Sequence, residues 1–138
     1  MIVETRVLPA KLEQWDTVYE LCETFLERLG CSEIVKNDIL VSAEEIFTNI
    51  ASYAYETEDG MVEVSCGVNA DEGDEFWISF KDWGTPYNPL ERPDPDFNIP
   101  FEERRIGGLG IYMVKKLMDR VEYQHDGGCN IFTIGKKL

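Results

Sequence analysis

Ile106-Gly107-Gly108-Leu109-Gly110-Ile111 runs straight into Tyr112-Met113-Val114-Lys115-Lys116-Leu117-Met118, so three glycines open an apolar helical pattern. Glycine lets backbone approach a ligand closely, and a helix start offers unpaired N–H groups and the positive end of its dipole. That pairing suits phosphate. It suits a tight loop-to-helix junction equally well. The spacing is not that of a P-loop, and no convincing strand precedes it to make a Rossmann crossover. What lies upstream has to decide.

Working outward, residues 109–120 read as a helix, and residues 121–125 and 130–136 as a hairpin turning about Asp126-Gly127-Gly128. Upstream, five of the six prolines fall between Pro86 and Pro100 among Asp, Glu and Arg, which excludes a regular helix or central strand. Such a long irregular segment reads as a lid, about residues 85–106. Residues 61–68 alternate with Val62, Val64, Cys66 and Val68 on one face, and Phe76, Ile78 and Phe80 form the inner face of a paired strand. Residues 69–74 are the polar loop between them.

Two helices come earlier. Residues 11–29 repeat Leu12, Trp15, Tyr19, Cys22, Phe25, Leu26 and Leu29 at helical spacing and stop at Gly30. Ser32 caps a second helix, about residues 33–55, with Leu40, Ala43, Phe47, Ile50 and Ala54 as its core stripe. Residues 2–8 make a first strand. The order β-α-α-β-β-lid-α-β-β does not alternate strand with helix. It predicts an α+β fold: a two-layer sandwich with a mixed, mostly antiparallel sheet and helices on one face.

At 138 residues and 43% hydrophobic content, the chain fits one domain, residues 1–138, with a substantial core. The formal charge of −14 argues against direct nucleic-acid binding. No apolar run approaches a membrane span, and Met-Ile-Val-Glu-Thr-Arg has no signal-peptide pattern, so a soluble cytoplasmic protein is expected. Cys22, Cys31, Cys66 and Cys129 form no metal or thiol-catalysis spacing and read as reduced structural thiols. His125 lacks a partner pattern, and no nucleophile triad is present.

Three other groups can carry chemistry. Glu45 and Asn49 sit one helical turn apart on one face; an Asn carbonyl can ligate Mg²⁺, and the carboxylate can take a hydroxyl proton. The pair is also an ordinary exposed helix face. Asp82-Trp83-Gly84 follows a strand: the carboxylate can accept from the exocyclic amine of adenine with Gly84 keeping space beside the base, or the three residues are a turn. Arg104 and Arg105 can grip phosphate oxygens or balance Glu102 and Glu103. Trp15, Trp77, Tyr53 and Tyr55 read as packing residues.

The order of these pieces closely resembles the GHKL (Bergerat-fold) ATPases, and more narrowly the small anti-sigma factor serine kinases. The stretches that carry it are residues 42–55, 82–89 and 107–119, and the likeness runs over essentially the whole chain. The resemblance implies ATP and Mg²⁺ as cofactors, with Asn49 holding Mg²⁺ on the triphosphate and Glu45 as the base. Asp82 would bind adenine beside Gly84. Arg105 and Gly107, Gly108, Leu109 and Gly110 would face the phosphates at the lid hinge and helix start. The substrate would be a serine or threonine on an anti-anti-sigma (STAS) partner, with a sigma factor as second partner and a homodimer as assembly. The alternative is a non-catalytic switch, in which ATP occupancy shapes a partner-binding surface.

Two stretches depart from that family's pattern. His-Ala-Tyr often follows the Asn, where this chain has Ser52-Tyr53-Ala54-Tyr55. The last hairpin commonly carries Gly-Thr-Thr, here Gly128-Cys129-Asn130, which leaves Asn130 or Thr133 to stand in for a threonine near adenine.

Overall fold

The computed structural model describes residues 3–56, 59–72, 74–91, 93–94, 98 and 109–138. Five strands and three helices follow in the order β1 (Val3–Pro9), α1 (Trp15–Leu29), α2 (Glu33–Tyr53), β2 (Met61–Asn69), β3 (Glu75–Asp82), α3 (Leu109–Leu117), β4 (Arg120–Asp126) and β5 (Cys129–Lys137). The strands form one sheet in the order β1-β2-β3-β5-β4. All four pairings are antiparallel, so the sheet carries none of the parallel pairing that a mixed sheet would have.

Alternation along the strands sorts the sheet into two faces. Val62, Val64, Cys66, Phe76, Ile78, Phe80, Phe132 and Ile134 are buried and share one core with residues of all three helices. The opposite face is polar along its middle, where Thr5 pairs with Ser65 and Ser79 with Thr133 through hydroxyl contacts of 3.1 and 2.9 Å. On that face Trp77 lies over Gly67, where a Cβ would come within 3.0 Å of the indole. Glu75, only 4% exposed, receives Arg120 there, Nη2 to Oε1 at 2.8 Å and Nε to both carboxylate oxygens at 3.1 Å.

The helix ends follow their caps. Gly30 adopts the left-handed conformation (φ 67°), and its N–H donates to Leu26 and Glu27 carbonyls. Ser32 Oγ accepts from Val35 N at 3.2 Å and starts α2. The first helix differs from its expected reading at both start and stripe. Lys11 is extended and a 3₁₀ turn, Leu12–Gln14, precedes α1. Its buried residues are Val18, Cys22, Phe25 and Leu26, whereas Leu12, Tyr19 and Leu29 are exposed. Val18 is in phase with Cys22, Phe25 and Leu26 and takes the core position expected of Tyr19.

Helix α2 buries Ile39, Leu40, Ala43, Ile46, Phe47 and Ile50, a wider arc than one stripe, because it packs against α1, α3 and the sheet together. Helix α3 stops three residues short of the expected 120. Lys136 Nζ donates to the Leu117 carbonyl at 2.5 Å, and Asp119 N already donates to Gly135 O at 3.0 Å. Pairing with β5 therefore ends the helix. The β4–β5 turn falls on Gly127 and Gly128, with φ of 60° and 81°, as two-residue hairpins of this twist require. Among the described residues no helix is long and apolar enough to cross a membrane.

Candidate functional site

Helix periodicity places Glu45 and Asn49 on the same side of α2, and both line a cavity of about 570 Å³. Asp82, the last residue of β3, and Asn130, opposite it on β5, line the same cavity. Ile46, Ile50, Ile111 and Phe132 supply apolar wall, and Tyr53, Tyr87 and Tyr123 stand around it. A second hollow of about 480 Å³ adjoins it and shares Pro86, Tyr87 and Tyr123. Glu45, Glu56 and Asp82 are acidic, and none of the described lining residues is a lysine or arginine.

Asp82 is nearly buried, at 4% exposure. Its Oδ1 accepts from Gly84 N at 2.9 Å and from Asn130 Nδ2 at 3.0 Å. Among the described residues Oδ2 accepts from nothing. Strand β3 thus runs two residues past Phe80, and Asp82 forms the final rung with Val62 and Asn130. The chain then folds against the end of α2, with Trp83 N donating to Tyr55 Oη at 2.8 Å and Thr85 N to Ala54 O at 3.1 Å. Tyr55 Oη itself donates to Met61 O at 2.5 Å. Burial is the main force holding that phenol above its ordinary pKa; the Trp83 N–H opposes it and the Asp82 charge adds to it.

The sequence reads Gly84 as keeping space beside the base or as part of a turn; a Cβ there would lie 2.0 Å from the Ala54 carbonyl oxygen, so the missing side chain admits the backbone at the C-cap of α2. Gly110, second in α3, has a different neighbour: its Cβ would meet Glu45 Oε1 at 1.9 Å. The Glu45 carboxylate therefore rests against the described start of α3, of which Leu109 is the first described residue. Arg104, Arg105, Gly107 and Gly108 lie outside the described residues, as do residues 95–97 and 99–103 of the expected lid.

Of the two candidates on the last strand, only Asn130 reaches this cavity. Thr133 pairs with Ser79 on the opposite face. Tyr123 and Tyr87 were missed; Tyr123 had a legible signal, since Val121 and Tyr123 alternate on the covered side of β4. Tyr55 packs as expected, and Trp15 stacks near Phe47 at 6.0 Å between centroids. Tyr53 does not pack: it is 78% exposed on the cavity wall. The four cysteines are free thiols, and His125 is exposed in β4.

A metal can be accommodated only in a particular way. Among the described residues no three His, Cys, Asp or Glu side chains cluster as a metal cage. Asn49, however, opens onto the cavity, and an Asn carbonyl oxygen is a hard donor. One protein oxygen completed by ligand phosphates and water is how Mg²⁺ is usually held. The donor set fits.

The sheet order, the helix layer on one face and this cavity between α2, β3 and β5 define the GHKL fold. The chain belongs to the histidine kinase-like ATPase domain family, which it matches over residues 8–136. Among its relatives, serine-protein kinase RsbW of Bacillus licheniformis is 31% identical, the alignment covering 89% of this chain and 78% of the relative. Serine-protein kinase RsbW of Bacillus cereus is 27% identical over 90% of this chain and 78% of its own length. In fold, the structure resembles the RsbU and RsbW domains of a Mycobacterium tuberculosis protein with a TM-score of 0.71 at 18% identity. That match takes in 100% of this chain and 33% of the other.

Proposed function

We propose that the chain is a Mg-ATP-dependent serine/threonine protein kinase of the anti-sigma factor type. It would phosphorylate a STAS-domain anti-anti-sigma partner and thereby regulate a sigma factor. The observation that carries this reading is the convergence of Glu45, Asn49 and Asp82 on one cavity from sites far apart in sequence. The names of the RsbW relatives support the reaction class.

In this reading Asp82 accepts the exocyclic amine of adenine, and Gly84 serves by holding Asp82 through its N–H. Asn49 supplies one oxygen to Mg²⁺, whose charge would offset that of the triphosphate in an otherwise acidic cavity. Arg105, Gly107, Gly108, Leu109 and Gly110 face the phosphates at the hinge of a lid spanning about residues 85–106. Glu45 takes the proton of the substrate hydroxyl as its oxygen bonds to the terminal phosphorus and the bond to the ADP oxygen breaks. Most of the acceleration comes from positioning and charge, as phosphoryl transfer requires. Residues 1–138 form a single cytoplasmic domain in this proposal, and its homodimer is consistent with the edge strand β1, where Val3 and Val7 are exposed.

The test is transfer of labelled γ-phosphate to a panel of STAS proteins by wild type and Glu45→Ala, with ATP affinity measured alongside. Wild-type transfer that Glu45→Ala abolishes while ATP still binds is the expected result. Control of the partner that persists in Glu45→Ala would favour the non-catalytic switch instead.

A further inference from the structure

We propose that Asn130 makes this site prefer adenine to guanine, a specificity-determining role exerted by positioning Asp82. The inference rests on the nucleotide reading above. Asn130 is 7% exposed and its side-chain amide has five polar partners, three of them sharing the two hydrogens of Nδ2. Its Oδ1 accepts from Tyr123 Oη and from Tyr87 N, the latter at 3.3 Å. Its Nδ2 donates to Asp82 Oδ1 at 3.0 Å, Thr85 O at 3.0 Å and Gly84 O at 3.4 Å. Two donors face the amide oxygen and three acceptors face the amide nitrogen, so only one orientation of the amide satisfies its surroundings.

That orientation has a chemical consequence for Asp82. An oxygen of a carboxylate accepts about two hydrogen bonds. On Oδ1 both are taken, by Gly84 N and Asn130 Nδ2. Oδ2 is left as the acceptor available to a ligand in the cavity. One acceptor matches the single exocyclic amine of adenine. Guanine offers a carboxylate two parallel donors, N1–H and the 2-amino group, and needs both oxygens to satisfy them. Turned the other way, guanine would set its own carbonyl oxygen against Oδ2. Asn130 thus holds Asp82 in a state that suits one purine and leaves the other with an unsatisfied group.

The experiment is titration calorimetry of the full chain with ATP and with GTP, using wild type, Asn130→Ala and Asn130→Thr. Wild type should prefer ATP. Asn130→Ala should lower the ATP-to-GTP affinity ratio by about tenfold, the scale of one hydrogen bond to a charged group. Asn130→Thr should keep most of the preference, because its hydroxyl can still donate to Asp82 Oδ1. If Asn130→Ala does not fold, Tyr123→Phe carries the test: it removes one of the two donors that orient the amide and should lower the ratio by less. A merely structural role would weaken both nucleotides alike, so an Asn130→Ala ratio within about twofold of wild type, or an unchanged ratio in Tyr123→Phe where Asn130→Ala does not fold, overturns the proposal. Equal wild-type affinities for ATP and GTP overturn it while leaving ATP binding intact, whereas a wild type that binds neither removes the nucleotide reading itself.

Discussion

Gly110→Ala separates stability from chemistry in one substitution. The residue is the second of α3, and its φ is not in the left-handed region, so an L side chain meets no backbone strain. Alanine is favoured over glycine within a helix by up to about 1 kcal/mol, so α3 should be held at least as well as before. The added Cβ, however, would lie 1.9 Å from Glu45 Oε1 and 2.2 Å from its Cδ, where ordinary contact begins at 3.4 Å. The far end of a part-buried glutamate can move, so the carboxylate withdraws by about 1.5 Å rather than the helix unfolding. A base displaced by about 1 Å costs on the order of a hundredfold in rate. Thermal unfolding should therefore show an unchanged or raised Tm, while transfer to the partner, measured at saturating ATP, falls about a hundredfold. Wild-type transfer by a well-folded Gly110→Ala would refute the reasoning, because the carboxylate in contact with α3 could not then be the base.

Gly84→Ala should behave in the opposite way, since its Cβ would lie 2.0 Å from the Ala54 carbonyl oxygen, a backbone atom that cannot rotate aside. Loss of the Thr85 N–Ala54 O bond and displacement of the chain beyond β3 should cost about 2–3 kcal/mol, read as a lower urea midpoint together with weaker ATP binding. Burial also pushes the Cys66 thiol from the usual 9.0 up to about 12, and burial raises Cys22 as well. A group whose folded pKa is raised contributes stability that is whole below the unfolded value and is lost as pH climbs through the folded one, so the urea midpoint should decline from about pH 9 upward. Cys22→Ala/Cys66→Ala should flatten that decline, and an unaltered alkaline slope would show that other groups govern it.

The fold was legible wherever a local rule had a single solution. The period-two run of Val62, Val64 and Cys66 and the turn at Gly127 and Gly128 each admit one reading, and both appear as expected. The spacing of the first helix reads with Tyr19 on the core stripe, but phase with Cys22, Phe25 and Leu26 puts Val18 there instead. The strand order β1-β2-β3-β5-β4 belongs to no local pattern. It depends on β5 entering between β3 and β4, a pairing of residues more than forty positions apart.

The site divides along the same line. Glu45 and Asn49 could be placed together from helix geometry alone, since four residues make about one turn. Asn130 and Thr133 could have been told apart by strand parity. Phe132 and Ile134 point into the core, so Asn130 shares their face and Thr133 cannot. What parity cannot supply is register. A shift of one residue between β3 and β5 would bring Asp82 opposite Ile131 and send the amide elsewhere. The observed register sets Phe80 against Phe132 and Ile78 against Ile134, so burial of these pairs is what aligns Asp82 with Asn130 at the rim. The hydrophobic core therefore positions the polar pair, and a core change that slipped this register would remove the site before it removed the sheet.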